Sequence, residues 1–251
     1  MKIPSKLMVL ALPVVLAACG GGSSNQTCVS GVVDSSPEKS CVTTTHTVPE
    51  GIWAGASSAA SSVLTLVLEN GAYYSLYTTS GVFNAMVQGT MTATNNAFSD
   101  TAAVAFVGSS TVEASDVQGT FTAQASMTGT AGSMTFNGTY NSVYATPLNI
   151  SDVTGSWVDA LSTGTSSLTV ASDGSFTGVA EGCAVSGTMT PRSTGKHVLD
   201  GTVLLQNNGS TTCQYGNGTT LSFEATDING ELIALGVTAQ RTLPFTMTLV
   251  R

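Results

Sequence analysis

Charged side chains are scarce in this chain. Only 9% of its 251 residues are Asp, Glu, Lys or Arg, and the 15 acidic residues outnumber the 7 basic ones for a net charge of −8. Phosphate backbones and anionic headgroups repel a protein of that sign, so no nucleic-acid partner is expected. Histidine occurs twice, as His46 and His197, far apart in sequence. No close Cys pair with the short spacing of a thiolate zinc site is present, so neither a metal nor another cofactor is expected. Also missing is the Gly-x-Ser-x-Gly elbow of a serine hydrolase, and no His, Asp and Arg constellation suggests catalysis. The expected catalytic set is therefore none. No window sustains a 3.6-residue apolar period, so almost no helix is expected after the N-terminus.

What is present is a β-rich composition. Hydrophobic residues make up 42% of the chain, and Thr, Ser, Val and Gly supply much of the rest, the mixture that suits pleated, half-buried surfaces. From Gly51 onward the chain alternates in short segments, such as Leu64-Thr65-Leu66 and Leu168-Thr169-Val170. Tight-turn signals punctuate them at Asn70-Gly71, Asn137-Gly138, Asp173-Gly174, Asn208-Gly209 and Asn229-Gly230. These dipeptides supply the positive φ angles that hairpins require.

An internal repeat runs through this region. Gly51-Ile52-Trp53 matches Gly155-Ser156-Trp157, and Leu64-Thr65-Leu66 matches Leu168-Thr169-Val170. Asn70-Gly71-Ala72-Tyr73 matches Asp173-Gly174-Ser175-Phe176, and Val87-Gln88-Gly89-Thr90-Met91-Thr92 matches Val185-Ser186-Gly187-Thr188-Met189-Thr190. Both order and spacing persist. Each copy holds about eight strand candidates. In the second they fall near residues 156–161, 166–171, 175–180, 183–190, 197–206, 218–227, 231–238 and 244–251. The expected fold is all-β: two tandem antiparallel up-and-down eight-stranded barrels, residues 51–146 and 147–251, joined near Ala145-Thr146-Pro147-Leu148. The rival arrangement is one merged sandwich or larger barrel to which each repeat contributes half. The opening Gly-x-Trp of each copy resembles the start of lipocalin-type barrels, where the Trp closes one end, although these modules are smaller. Core packing is the simpler role for both tryptophans, given the area each buries.

The N-terminus carries a different kind of signal. Lys2 and Lys6 precede an apolar run from Leu7 to Leu16, too short for the ~20 residues a bilayer-spanning helix needs but suited to a secretory signal. It ends in Leu16-Ala17-Ala18-Cys19-Gly20, which resembles a bacterial lipobox. The resemblance implies cleavage after residue 18, lipid on Cys19 and acylation of its new amino group. Several acyl chains make a stable anchor where one would not. Gly20 stands where an Asp often marks inner-membrane retention, which implies the outer membrane. Residues 1–18 are then the signal peptide, and 19–50 the lipidated cysteine, a flexible Gly/Ser tether and a small disulfide loop. Losing Lys2 and Lys6 takes the net charge from −8 to −10. The tether, Cys19-Gly20-Gly21-Gly22-Ser23-Ser24, is similar to those of Gram-negative surface lipoproteins that also carry small β-barrels.

Setting Cys19 aside leaves Cys28, Cys41, Cys183 and Cys213. An exported chain meets an oxidising compartment, so disulfides are expected. Four cysteines allow three pairings. Cys28–Cys41 and Cys183–Cys213 are preferred, because each pair is close in sequence and sits within one module.

Other candidate features have plain explanations. Gly187 to Lys196 superficially suggests a phosphate loop, but Thr190 stands where a glycine is required and His197 where Ser or Thr is. Arg192, Lys196 and His197 read as a basic, solvated hairpin turn. Asp227 and Glu231 flank Ile228-Asn229-Gly230, a hairpin turn rather than a calcium loop. Tyr73, Tyr74 and Tyr77, with Phe83 beyond, would suit protein or glycan binding if exposed, but barrel packing is the better reading. On a strand Tyr73 and Tyr77 face one side and Tyr74 the other. The expected function is a non-catalytic binding or structural lipoprotein at the outer membrane or cell surface, whose partners are the membrane, through the lipid, and a protein or small apolar ligand. No ligand-binding residues can be named from the sequence. Alternatives are a carrier holding a small apolar ligand inside a barrel, and an inhibitor of a protease or host factor.

Overall fold

The structure, a computed structural model, describes residues 26–29, 40–43, 48–108, 111–160 and 166–251. Cys19 and His46 lie outside the described residues, as do the side chains of Cys28 and Cys41. The chain divides into two units, Met1–Thr45 and His46–Arg251. In the first, strands β1 (Gln26–Val29) and β2 (Ser40–Thr43) pair antiparallel in a register that sets Cys28 opposite Cys41.

The second unit contains two closed antiparallel barrels in tandem. The first comprises β3 (Gly51–Gly55), β4 (Ser62–Val67), β5 (Ala72–Thr79), β6 (Val82–Thr90), β7 (Thr92–Thr94), β8 (Ala97–Val107), β9 (Thr111–Thr122), β10 (Ser126–Ala131) and β11 (Met134–Asn141). Strand β7 continues β6 past Met91, and both pair with β8, so the ring counts eight strands. It closes where Tyr140 of β11 lies opposite Trp53 of β3. A 3-10 turn (Ser142–Ala145) and the short helix α1 (Ile150–Val153) lead to the second ring. That ring runs β12 (Gly155–Asp159), β13 (Ser167–Val170), β14 (Ser175–Ala180), β15 (Cys183–Pro191), β16 (Leu199–Asn207), β17 (Thr219–Ile228), β18 (Glu231–Val237) and β19 (Pro244–Val250). It closes between β12 and β19, with Val158 opposite Val250. Each repeat forms its own ring, which rules out the merged sandwich. No helix among the described residues is long and apolar enough to cross a membrane.

The two copies use the same local devices. Gly71 and Gly174 occupy left-handed backbone at φ 85° and 83° and donate back to Leu68 O and Ala171 O at 2.9 and 3.0 Å. Their carbonyls accept from Met91 N and Met189 N, both at 2.9 Å. These contacts explain why the two turns and the two Gly-Thr-Met-Thr segments keep their order. A Cβ on Gly71 would sit 2.3 Å from Met91 O, and one on Gly174 2.2 Å from Met189 O. Gly174→Ala is therefore expected to destabilise the unit by more than ~1 kcal/mol, read as a lower urea midpoint. An unchanged midpoint would mean that the turn relaxes freely.

Register corrects one feature of the repeat. Trp53 pairs with Thr65, but Trp157 pairs with Leu168. The structural counterpart of Thr65 is thus Leu168, not Thr169, one residue from the sequence match. Such a slip sends side chains to opposite faces of the sheet. Thr65 is buried at 3% exposure, its hydroxyl 2.9 Å from that of Ser75 inside the first barrel, while Thr169 faces solvent.

Both interiors are packed. Trp53 and Trp157 are each 1% exposed, and their indoles donate to carbonyls four residues back, Pro49 O at 2.9 Å and Val153 O at 2.7 Å. Tyr73, Tyr77, Phe98, Phe121, Met127 and Phe136 join Trp53 in one core. Phe176, Met189, Phe223, Phe245 and Met247 join Trp157 in the other. Two further apolar clusters run between the barrels. Tyr74, Leu76, Met86 and Phe106 of the first pack with Ile233 and Leu235 of the second, and Ile52, Leu66, Leu68 and Tyr144 pack with Val198. This seam explains why residues 73–77 and 232–236 are buried without alternation: one face lines a barrel and the other meets the neighbouring barrel.

Candidate functional site

A barrel interior is the first place to look for a ligand, and here it offers little room. In the second barrel a void of about 10 Å³ remains among Leu168, Phe176, Met189, Phe223, Phe245 and their neighbours, about the minimum for one water molecule. The first is occupied by seven large side chains, from Trp53 to Phe136, none more than 7% exposed. Attention therefore shifts to the seam.

One end of the seam is held by charge. Arg192 Nε lies 2.9 Å from Glu69 Oε2 of the first barrel, and its Nη1 pairs with Asp200 of the second. Thr194 donates to the other Glu69 oxygen. Lys196 Nζ reaches Glu50 Oε1 at 3.3 Å and sits 5.1 Å from the centre of the Tyr144 ring. His197 Nε2 donates to Asp227 O at 2.9 Å. The Arg192, Lys196 and His197 turn is thus docked rather than solvated, and the Arg192 side chain is only 15% exposed. Burial alone would push the Glu69 carboxyl up, but the Thr194 hydrogen bond and the Arg192 guanidinium hold it below its ordinary value.

A second polar contact crosses the seam at the turn between β18 and β19. Arg241 donates from Nη2 to Gln88 O at 2.7 Å and from Nη1 to Ala102 O at 3.2 Å, both in the first barrel. Nearby, the Tyr74 hydroxyl faces the Glu224 carboxyl. Burial pushes both groups up; the Glu224 carboxylate raises the tyrosine further, while the Tyr74 hydrogen bond partly offsets the rise of the carboxyl. Glu224 Oε2, Gln88 Oε1 and Arg241 Nε are buried without a hydrogen-bond partner. Glu181, in the turn between β14 and β15, is also raised by burial although Tyr215 and Gln214 donate to it.

Raised carboxyl values set the sign of a pH effect. Folded protein holds the Glu181 and Glu224 protons more tightly than unfolded chain, so their contribution is most favourable below the ordinary value of 4.5. It is lost as pH rises through their folded values. Glu224→Gln is therefore expected to raise the urea midpoint at pH 8 relative to the parent and to leave the difference small near pH 4. A pH-independent difference would contradict this.

Two grooves open along the seam. The larger, about 480 Å³, is lined by Ser62, Leu64, Leu76, Thr78 and Gly81 of the first barrel. Its second wall comprises Ala160, Ile228, Asn229, Gly230, Glu231, Ile233, Thr248 and Val250. The smaller, about 300 Å³, lies between Phe83 and a wall of Glu181, Gln214, Leu243, Pro244 and Thr246. A third groove, about 470 Å³, runs over β7, β8 and β9 of the first barrel alone.

The sequence candidates are distributed around these features. Tyr73 and Tyr77 lie inside the first barrel and Tyr74 on the seam, while Phe83 lines the smaller groove. Asp227 to Glu231 form a hairpin turn in which Asp227 Oδ1 accepts from Gly230 N at 2.9 Å, with Asn229 and Gly230 at φ 57° and 83°. The sequence does not anticipate that this turn walls the larger groove. Cys183 and Cys213 are disulfide-bonded, with Cα atoms 4.7 Å apart. Among the described residues no group of three or more His, Cys, Asp or Glu is placed to hold a metal.

The class defined by this geometry is a pair of up-and-down eight-stranded antiparallel barrels with filled interiors and a grooved seam. Comparisons with protein-family models, with curated proteins and with solved structures found no match for the chain.

Proposed function

We propose that the protein is a lipid-anchored outer-membrane lipoprotein whose paired barrels form a non-catalytic binding module, with the larger seam groove as its ligand-facing site. The observation that carries the binding half is the contrast between packed interiors and a 480 Å³ groove outside them. That volume falls in the range of ordinary ligand sites. The same packing weighs against a carrier that holds an apolar molecule inside a barrel. The anchor half rests on Leu16-Ala17-Ala18-Cys19-Gly20 after a short apolar run.

The two halves are tested separately. Wild-type chain is expected to incorporate labelled palmitate and sediment with outer membranes, and Cys19→Ala to do neither. An unlabelled wild type would overturn the anchor. For the groove, a photoreactive side chain at Thr248, on its wall, is expected to give a discrete adduct in intact cells. The same group at Thr128, exposed on β10, should not. Identical adducts from both positions, or none, would overturn the groove as the binding site.

A further inference from the structure

We infer that the larger seam groove takes a small amphiphilic primary amine, its apolar body held between the barrels and its ammonium group paired with Glu231. The inference rests on the groove being the binding site and adds the chemistry of the ligand. Leu64 and Leu76 of the first barrel and Ile228 and Ile233 of the second pack together at the seam and, with Val250, put apolar surface along the groove, beside polar surface from Ser62, Thr78, Asn229 and Thr248, a mixed lining that suits an amphiphile. Among its lining residues one is ionisable, Glu231. It opens β18, opposite Ile228 on β17 and Val250 on β19, so its carboxyl emerges beside the apolar wall.

No ion pair with Glu231 forms among the described residues. Arg192 and Lys196 are committed to Glu69, Asp200 and Glu50. Arg241 is spent on the carbonyls of Gln88 and Ala102. Arg251, next in sequence to Val250, is turned away, its guanidinium 4.6 Å from the centre of the Trp157 ring and donating to Asp152 O. Asp227 lies on the same hairpin but faces its own turn, accepting from Gly230 N. A half-buried carboxylate against apolar side chains is electrostatically incomplete, and a bound cation would replace the water it has lost. Burial raises the Glu231 carboxyl, consistent with that deficit. Thr78, Thr248 and the Asn229 side chain, also on the lining, offer oxygens for the remaining ammonium protons. A carboxylate-headed ligand would instead meet Glu231 as a like charge.

The test titrates n-octylamine, n-octanol and octanoate calorimetrically into the chain from residue 20 onward, which lacks the cysteine to be lipidated and keeps every described strand. Octylamine is expected to bind one to one, about tenfold more tightly than octanol, and octanoate more weakly than either. Glu231→Gln should bring octylamine down to the octanol level without lowering the urea midpoint, and Thr248→Trp should weaken all three by filling the groove. Equal binding of the three probes, unaffected by Glu231→Gln, would overturn the amine and leave the groove standing. Binding of none would also overturn it, and the Thr248 crosslink would then decide the groove by itself.

Discussion

Trp157→Ala is expected to cost about 3–5 kcal/mol and to loosen the first barrel as well as the second. The local loss follows from burial. Trp157 is 1% exposed, and its indole nitrogen satisfies Val153 O at 2.7 Å, so the substitution leaves both a cavity and a carbonyl without its donor. Set against a typical total of about 5–15 kcal/mol, that is a large fraction. The longer-range effect follows from the seam. Tyr74, Leu76, Met86 and Phe106 are buried by Ile233 and Leu235, and Glu69 is bound to Arg192, so unfolding the second barrel strips cover and charge from the first. With Trp157 gone, Trp53 is the one tryptophan left in the chain, and its emission reports the first barrel alone. Trp157→Phe supplies the control with the same single emitter. The Trp53 transition is expected at lower guanidinium in Trp157→Ala than in Trp157→Phe. Coincident transitions would show that the barrels unfold independently and that the seam contributes little.

Turns and repeats were legible because their chemistry is local. Asn70-Gly71 and Asp173-Gly174 announce a turn with positive φ at the glycine, and the matched segments announce two copies, although the dipeptide alone misleads at Asn137-Gly138, which lies within β11 rather than at a turn. Pairing register was less legible. Leu64-Thr65-Leu66 and Leu168-Thr169-Val170 look alike, yet Thr65 points into its barrel and Thr169 out of its own. Alternation reports that faces differ but not which face is buried, and in the first copy both are. The Arg192–Glu69 ion pair was hidden for a related reason. Arg192 finds Glu69 across a sequence separation of 123, so the turn around Arg192 looks solvated until the two barrels meet. The seam's one local trace was loss of alternation at Tyr73–Tyr77 and Leu232–Gly236, where runs of buried residues mark strands covered on both sides. The groove arises only from that packing. Leu64 and Ile233 become walls of one site because two separate rings come into contact.

Removing the Cys183–Cys213 bond should be the other large effect, about 3–4 kcal/mol for a closed loop of roughly this size on the chain-entropy account. The cysteines are 30 residues apart, and the bond ties the start of β15 to the loop between β16 and β17. Both are nearly inaccessible, at 0% and 2% exposure, so alanine is a better replacement than serine, which would bury unpartnered hydroxyls. Other contacts hold the same loop. Cys213 N donates to Asn207 Oδ1 at 3.0 Å and Asn207 N to Asn217 Oδ1 at 3.0 Å, and the Tyr215 hydroxyl lies 2.8 Å from Glu181 Oε2 and 2.9 Å from Pro244 O, its one proton shared between them. These bonds give the folded loop partial order without the disulfide, but they do not restrain the unfolded chain as the bond does. The Cys183→Ala, Cys213→Ala double variant is therefore expected to fold with its far-ultraviolet spectrum intact and to unfold at lower guanidinium. In the Trp53→Phe background, where Trp157 is the sole emitter, that fall should appear in the second barrel. Because burial slows access to the sulfurs, dithiothreitol should change the folded protein's midpoint only after incubation long enough for the second barrel to open. An unchanged midpoint in the double variant would mean that the loop's hydrogen bonds already hold β15 against β16 and that the bond adds little to folding.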